Sequence, residues 1–225
     1  MRNILVFSCP HIPFEHSGFL TFLKRIRKAF NCEEAICLGD LVDNHAISYH
    51  EHDPDLYSPL NEMERADKHL KPWFKEFPSI KMCRGNHDVM VDRKSKTVGL
   101  PSRAFKQFRE IWNLPKGWVD DWEFIIDGVK YIHGTGYSGA YGHIKASYDN
   151  RMSTVIGHLH SVSGVEYLAN NSSLVFGLST GCGIDKKSMA FAYGKEYNRK
   201  PVLSCGVISY THKGVNAQII PMELK

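Results

Sequence analysis

Residues 4–43, ILVFSCPHIPFEHSGFLTFLKRIRKAFNCEEAICLGDLVD, decide the fold. Ile4 to Phe7 is an unbroken apolar run of strand length, which suits a strand buried on both faces. Ser17 then precedes Phe19, Leu23, Ile26 and Phe30, whose i, i+4, i+7, i+11 spacing is the stripe of an amphipathic helix. Lys24, Arg25, Arg27 and Lys28 fall on its other side and read as a solvated face. Ala35 to Leu38 is a second short apolar run. A strand, a helix and a strand in this order imply a crossover connection, and so a parallel sheet.

Beyond this opening, Val42 to Tyr57 is polar, rich in His and Asp, and reads as a long loop. Ser58 and Pro59 begin a helix as N-cap and first helical residue. Leu60, Met63, Leu70, Trp73, Phe74 and Phe77 give it an apolar stripe, and Pro78 ends it before a third strand at Ile80–Cys83. Pro101 and Ser102 open a further predicted helix reaching about Trp112. Phe124–Ile126 and Val129–Ile132 flank Asp127-Gly128, the signature of a tight hairpin. More strands are expected at Thr154–Ile156, Val165–Leu168, Leu174–Phe176, Val202–Ser209 and Val215–Ile220. With no repeat, linker or shift of composition, residues 1–225 are expected to form a single domain.

Composition sets the outer limits. The 225 residues are 43% apolar and 23% charged, inside the globular range and outside the disordered one. Lys and Arg total 28 against 24 Asp and Glu, a net charge of +4 that admits an anionic substrate without requiring a nucleic-acid partner. No apolar stretch approaches the roughly 20 residues of a membrane span, and the opening Met1–Phe7 reads as too short and too soon polar for a signal peptide, so none is expected. Six cysteines without a C-x-x-C pair suggest neither a disulfide framework nor a zinc ribbon, so a reducing, cytoplasmic location is expected. The 12 histidines are the compositional excess.

Several of those histidines follow strands. Strand one ends into Ser8-Cys9-Pro10-His11, strand two into Gly39-Asp40-Leu41-Val42-Asp43, and strand three into Arg84-Gly85-Asn86-His87-Asp88. Later strands end into His133-Gly134 and Gly157-His158-Leu159-His160. The carboxyl ends of parallel strands share one edge, where ligands bind. Donor side chains from five strand ends therefore converge, and the intervening glycines allow close backbone approach.

Gly39-Asp40-x-x-Asp43, Gly85-Asn86-His87-Asp88, His133-Gly134 and Gly157-His158-x-His160, in this order, resemble the signature blocks of calcineurin-like metallophosphoesterases. The resemblance spans residues 4 to about 160. It implies an α/β fold of two packed mixed β-sheets flanked by helices, and a site for two divalent metal ions (Mn, Fe or Zn). By position Cys9, His11, Asp40 and His160 would hold the first metal, and Asp40, Asn86, His133 and His158 the second, with Asp40 bridging. The implied reaction is hydrolysis of a phosphomonoester or phosphodiester by attack of metal-bound hydroxide on phosphorus. His87 would donate a proton to the leaving oxygen, Asp88 would orient its ring, and Asp43 would support the ligands by hydrogen bonding.

The family opens with Asp-x-His, whereas this chain has Cys9-Pro10-His11. Two readings of Cys9 stand: a thiolate ligand, whose softness favours zinc or iron, or a residue outside the metal shell. Two alternatives to a general phosphoesterase also stand. One is a nuclease or nucleotide phosphodiesterase of the same family, with nucleotides or short nucleic acids as substrates. The other is a non-catalytic, metal-binding interaction scaffold. A thiol-nucleophile reading of Cys9 with His11 as base lacks an oxyanion site.

His45, His50 and His52 lie in the loop leaving the metal edge; His50 and His52 are expected in solvent, and His45 stands between solvent and site. Arg84, Arg93 and Lys94 read as surface charge, and Tyr137, Tyr141 and Gly134-Thr135-Gly136 as an ordinary loop. Ser179-Thr180-Gly181-Cys182-Gly183 only loosely resembles an anion-binding loop. His16, His69, His143 and His212 have no motif context, and Ala190–Pro201 is a candidate interaction segment.

Overall fold

Strand β1 (Arg2–Phe7) pairs in parallel with β2 (Glu34–Cys37), Ile4 opposite Glu34 and Phe7 opposite Cys37, with helix α1 (Phe19–Ala29) in the crossover. Side chains alternate across β1, so its two faces enter two different cores. Leu5 and Phe7 pack under α1 and helix α2 (Pro59–Glu76) with Leu23, Leu70 and Trp73. Ile4 and Val6 face the opposite way, against Tyr131, Val155, Phe176 and Leu178 of a second sheet. That double burial is why the run carries no polar residue between Ile4 and Phe7.

The computed structural model describes residues 2–49, 55–188 and 198–223. In the first sheet the order is β11-β10-β1-β2-β3-β4, with β3 at Ser79–Cys83, β4 at Gly117–Asp121, β10 at Ser204–Thr211 and β11 at Gly214–Pro221. Strands β1 to β4 are parallel, and β10 and β11 add antiparallel pairs. The second sheet runs β5-β6-β7-β9-β8, from β5 (Glu123–Ile126), β6 (Val129–Ile132), β7 (Ser153–Ile156), β8 (Ser163–Ala169) and β9 (Leu174–Thr180). Asp127 and Gly128, at φ 45° and 79°, make the hairpin turn between β5 and β6. Helix α5 (Gly142–Asn150) covers the outer face of the second sheet through Ala146, Ile156 and Leu159. The molecule is thus two packed mixed sheets flanked by helices.

The structure departs from the sequence expectation at six places. The predicted helix from Pro101 divides into a 3₁₀ turn at Ser102–Ala104 and a short α4 (Phe108–Ile111). Phe105 is extended between them, and a capping box of Gln107 and Glu110 restarts the helix. Leu60 lies off the α2 stripe, 65% exposed. Helices α3 (Met90–Thr97) and α5 and strand β4 arise where no element was expected. Finally, β9 continues through Ser179 and Thr180, whose buried hydroxyls bond Val162 O and Ser8 Oγ, so the first two residues of the Ser179–Gly183 stretch are strand with their hydroxyls engaged. Among the described residues no helix is long and apolar enough to cross a membrane.

Candidate metal centre

The loops after β1, β2, β3, β6 and β7 meet at one edge. Their backbone is held in a sparsely populated conformation: Cys9, His11, Asp40, Asn44 and His158 have φ of 51°, 54°, 50°, 52° and 62°. Left-handed φ disfavours residues with a Cβ and persists only where surroundings enforce it. Glycine permits the closeness. A Cβ on Gly39 would stand 2.6 Å from Cys83 O and Gly85 N, and one on Gly85 would collide with the Asp40 carboxylate.

Three sets of donor atoms gather there, each within 4.8 Å: Cys9, His11, Asp40 and His160; His11, Asp43 and His87; and Asp40, His133 and His158. Asp40 Oδ2 lies 3.1 Å from His133 Nε2 and 3.7 Å from His11 Nε2. His133 Nε2 is also 3.1 Å from Asn86 Oδ1 and 3.2 Å from His158 Nδ1. His11 Nε2 faces His160 Nε2 at 3.0 Å. Cys9 Sγ accepts the His158 N–H at 3.3 Å.

The ring tautomers follow from the outer partners. His133 Nδ1 is 2.7 Å from the Leu38 carbonyl, which can only accept, so Nδ1 carries a proton and Nε2 is the atom turned to the Asp40 carboxylate, whose charge raises the ring's pKa against burial. His11 Nδ1 likewise donates to Asp43 Oδ1 at 2.6 Å, turning its Nε2 toward Asp40 and His160. Lone pairs meeting a carboxylate need a proton or a cation between them. This is the arrangement by which outer hydrogen bonds prepare imidazoles as metal ligands, so the donor set fits divalent metals.

Electrostatics agree with that fit. Burial opposes the Asp40 charge, yet His133, His87 and His11 outweigh it and hold the carboxyl well below its ordinary range. Burial, then the neighbouring His133, lowers His158 to about 4; burial and His11 push His160 well down, so both rings are neutral and could act as ligands. Burial and the Asp40 charge raise the Cys9 thiol, which loses its proton only in exchange for a cation.

His87 lies beside His11, ring centroids 4.7 Å apart, and its backbone N–H donates to Asp40 Oδ1 at 2.9 Å. The orienting partner expected for its ring, Asp88, is instead turned to the backbone. Asp88 Oδ2 accepts the N–H of Asp40 and Gly85 at 2.7 and 2.8 Å, and Oδ1 those of Leu41 and Val42 at 2.9 and 3.3 Å. Asp43 takes the ring: its carbonyl accepts from His87 Nδ1 at 2.5 Å, with Oδ1 at 3.3 Å. Burial disfavours a charged His87, but Asp40 and Asp43 prevail and raise its pKa.

His45 is buried in a 3₁₀ turn, Nδ1 3.9 Å from Asp43 Oδ2. Glu62 of α2 fixes that turn by accepting the N–H of His45 and Ala46, each at 2.7 Å. Burial raises Glu62 to about 7. Nothing in the sequence marks Glu62, which sits among other charges on a helix. His50 and His52 lie outside the described residues, as do residues 190–197 of the Ala190–Pro201 segment. Tyr137 packs near α5, Tyr141 is exposed, His69 pairs with Glu15, and His143 is buried in α5.

The profile of calcineurin-like phosphoesterases matches residues 2–175, which include every one of these donors. The chain belongs to the calcineurin-like phosphoesterase family. The family typically binds divalent metals, and the donor clusters of this chain lie inside the matched span. Solved structures similar to this chain include a metallophosphoesterase from Sphaerobacter thermophilus, at 14% identity and TM-score 0.46, covering 99% of this chain and 88% of that one. Vacuolar protein sorting 29 from Cryptosporidium parvum is 11% identical at TM-score 0.48, with 99% and 98% covered. Yfce, a phosphoesterase from E. coli, is 15% identical at TM-score 0.44, with 92% and 88% covered. No curated protein sequence matches.

Proposed function

We propose that this chain hydrolyses a phosphomonoester or phosphodiester with two divalent metal ions, Mn, Fe or Zn. Cys9, His11, Asp40 and His160 would hold one, and Asp40, Asn86, His133 and His158 the other. The observation that carries the reading is Asp40, whose Oδ2 is shared by the Nε2 atoms of His133 and His11. Bound there, two cations supply an activated water and neutralise phosphoryl charge.

The protein's own groups do the rest. Asp43 orients two rings, through its carboxylate to His11 and its carbonyl to His87. His87, with Nδ1 so engaged, presents its other nitrogen to deliver a proton to the leaving oxygen. Asp88 holds the Gly39–Val42 turn through the amides of Asp40, Leu41 and Val42 and ties it to Gly85 through a fourth, keeping Asp40 in place. All six cysteines are free, buried thiols, which supports a reducing, cytoplasmic setting.

The test pairs metal analysis with hydrolysis of p-nitrophenyl phosphate, bis-p-nitrophenyl phosphate and alkyl phosphates. His87→Ala should keep its metal and lose about 10²- to 10⁴-fold in kcat on alkyl esters, and much less on p-nitrophenyl esters, whose leaving group needs little protonation. Equal losses on both classes would remove the acid role. Bound metal without hydrolysis of any ester would leave a metal-binding scaffold instead.

A further inference from the structure

A cleft of about 400 Å³ opens directly beside the centre. Asn86 and His133 form its inner wall, and Arg84, Arg93, Lys96 and Trp122 continue it outward. The chain has four tryptophans. Trp73, Trp112 and Trp118 are buried in the core, whereas Trp122, at the bend between β4 and β5, is 57% exposed. An indole facing solvent inside a cleft contributes little to the fold and offers a flat apolar face.

The charges around it are unequal. Arg84 stands over the Trp122 ring, 5.9 Å from its centroid, and shares the Asp120 carboxylate with Arg109, at 2.8 and 2.9 Å. Lys96 is paired with Asp92 at 2.6 Å. Arg93 has no carboxylate partner among the described residues; its Nη1 reaches the carbonyl of Asn86 at 3.4 Å, at the edge of the centre. The cleft therefore joins two residues of the candidate metal centre, an arginine with no carboxylate partner among the described residues, and a planar ring backed by a guanidinium. Its volume suits one small molecule.

We propose that this cleft receives the nucleoside part of a nucleoside phosphate. The base stacks on Trp122, and Arg93 meets a phosphoryl oxygen held at the centre. Stacking accepts any base, since each has a π-face. The assignment rests on the phosphoesterase reading and narrows its substrate class.

Binding and turnover test it separately. The metal-loaded protein is titrated with the phosphonate analogue of adenosine 5′-monophosphate, and with ribose 5-phosphate, phosphotyrosine and adenosine. Tryptophan emission and calorimetry are read together. The analogue should quench emission saturably, and Trp122→Phe should abolish most of the quench while keeping affinity. Trp122→Ala should bind the analogue about ten-fold more weakly, with ribose 5-phosphate unaffected. Arg93→Gln should weaken the analogue and leave adenosine unchanged. Ribose 5-phosphate or phosphotyrosine binding as tightly as the analogue, or full affinity in Trp122→Ala, would overturn the proposal. Analogue binding of the expected pattern without hydrolysis of any ester would sustain the cleft and overturn the phosphoesterase reading.

Discussion

Asp43 gives one carboxylate oxygen to the His11 ring at 2.6 Å, while its other oxygen is buried without a hydrogen-bond partner among the described residues. An acid so placed fixes a ligand's tautomer and raises its basicity, and loss of such a partner costs roughly 10- to 100-fold in metal affinity. Asp43→Asn should show that loss by chelator competition, with its thermal midpoint in the metal-free state nearly unchanged. Undiminished affinity would mean that His11 needs no anchor. Much at this scale was legible: the positions of Cys9, His11, Asp40, Asn86, His133, His158 and His160 at strand ends follow from alternating apolar runs and donors. Side-chain direction was not. Asp88 adjoins His87 in sequence, yet in a tight turn consecutive side chains diverge, and four inward amides claim its carboxylate. Glu62 was equally hidden, because its partner is backbone, which leaves no trace in residue identity.

Among the elements, α5 shows why a helix escapes periodicity. Its buried positions are Gly142, His143, Ala146 and Ser147, small or polar residues that give no apolar stripe. The helix lies so close to the second sheet that contact is made by backbone. A Cβ on Gly177 of β9 would sit against the carbonyl of His143, far inside van der Waals distance. Gly177→Ala must therefore push α5 outward, and such overpacking typically costs about 1–3 kcal/mol. For a protein of this size each kcal/mol lowers Tm by about 2–4 °C, so a fall of several degrees is expected by calorimetry. An unchanged midpoint would show that α5 shifts freely. Strand β4 escaped for a related reason: its Gly117-Trp118-Val119-Asp120-Asp121 sequence has one buried apolar residue, because β4 is the edge of its sheet.

Across the whole molecule, the centre is built by both sheets. Cys9, His11, Asp40 and Asn86 follow β1, β2 and β3 of the six-stranded sheet, while His133, His158 and His160 follow β6 and β7 of the five-stranded one. The sheets are joined by apolar packing, Ile4, Val6, Ile36 and Leu38 against Val129, Tyr131, Val155 and Leu178, and by a few hydrogen bonds such as Ser8 to Thr180 and Tyr131 to Tyr210. On the proposed function, a cation held by Asp40 and His133 would add a polar link across that interface that exists only in the folded chain. Linkage then requires metal to stabilise the fold, by about 2.7 kcal/mol for one site at a hundred times Kd. Stripping with chelator should lower Tm by about 5–10 °C, and adding back Mn or Zn should restore it in proportion to the logarithm of metal concentration. His133→Ala removes the cross-sheet donor and should abolish most of that rise while leaving the metal-free midpoint close to that of the stripped wild type. A metal-independent Tm in the wild type would mean that the donors, however close, hold no cation between the sheets.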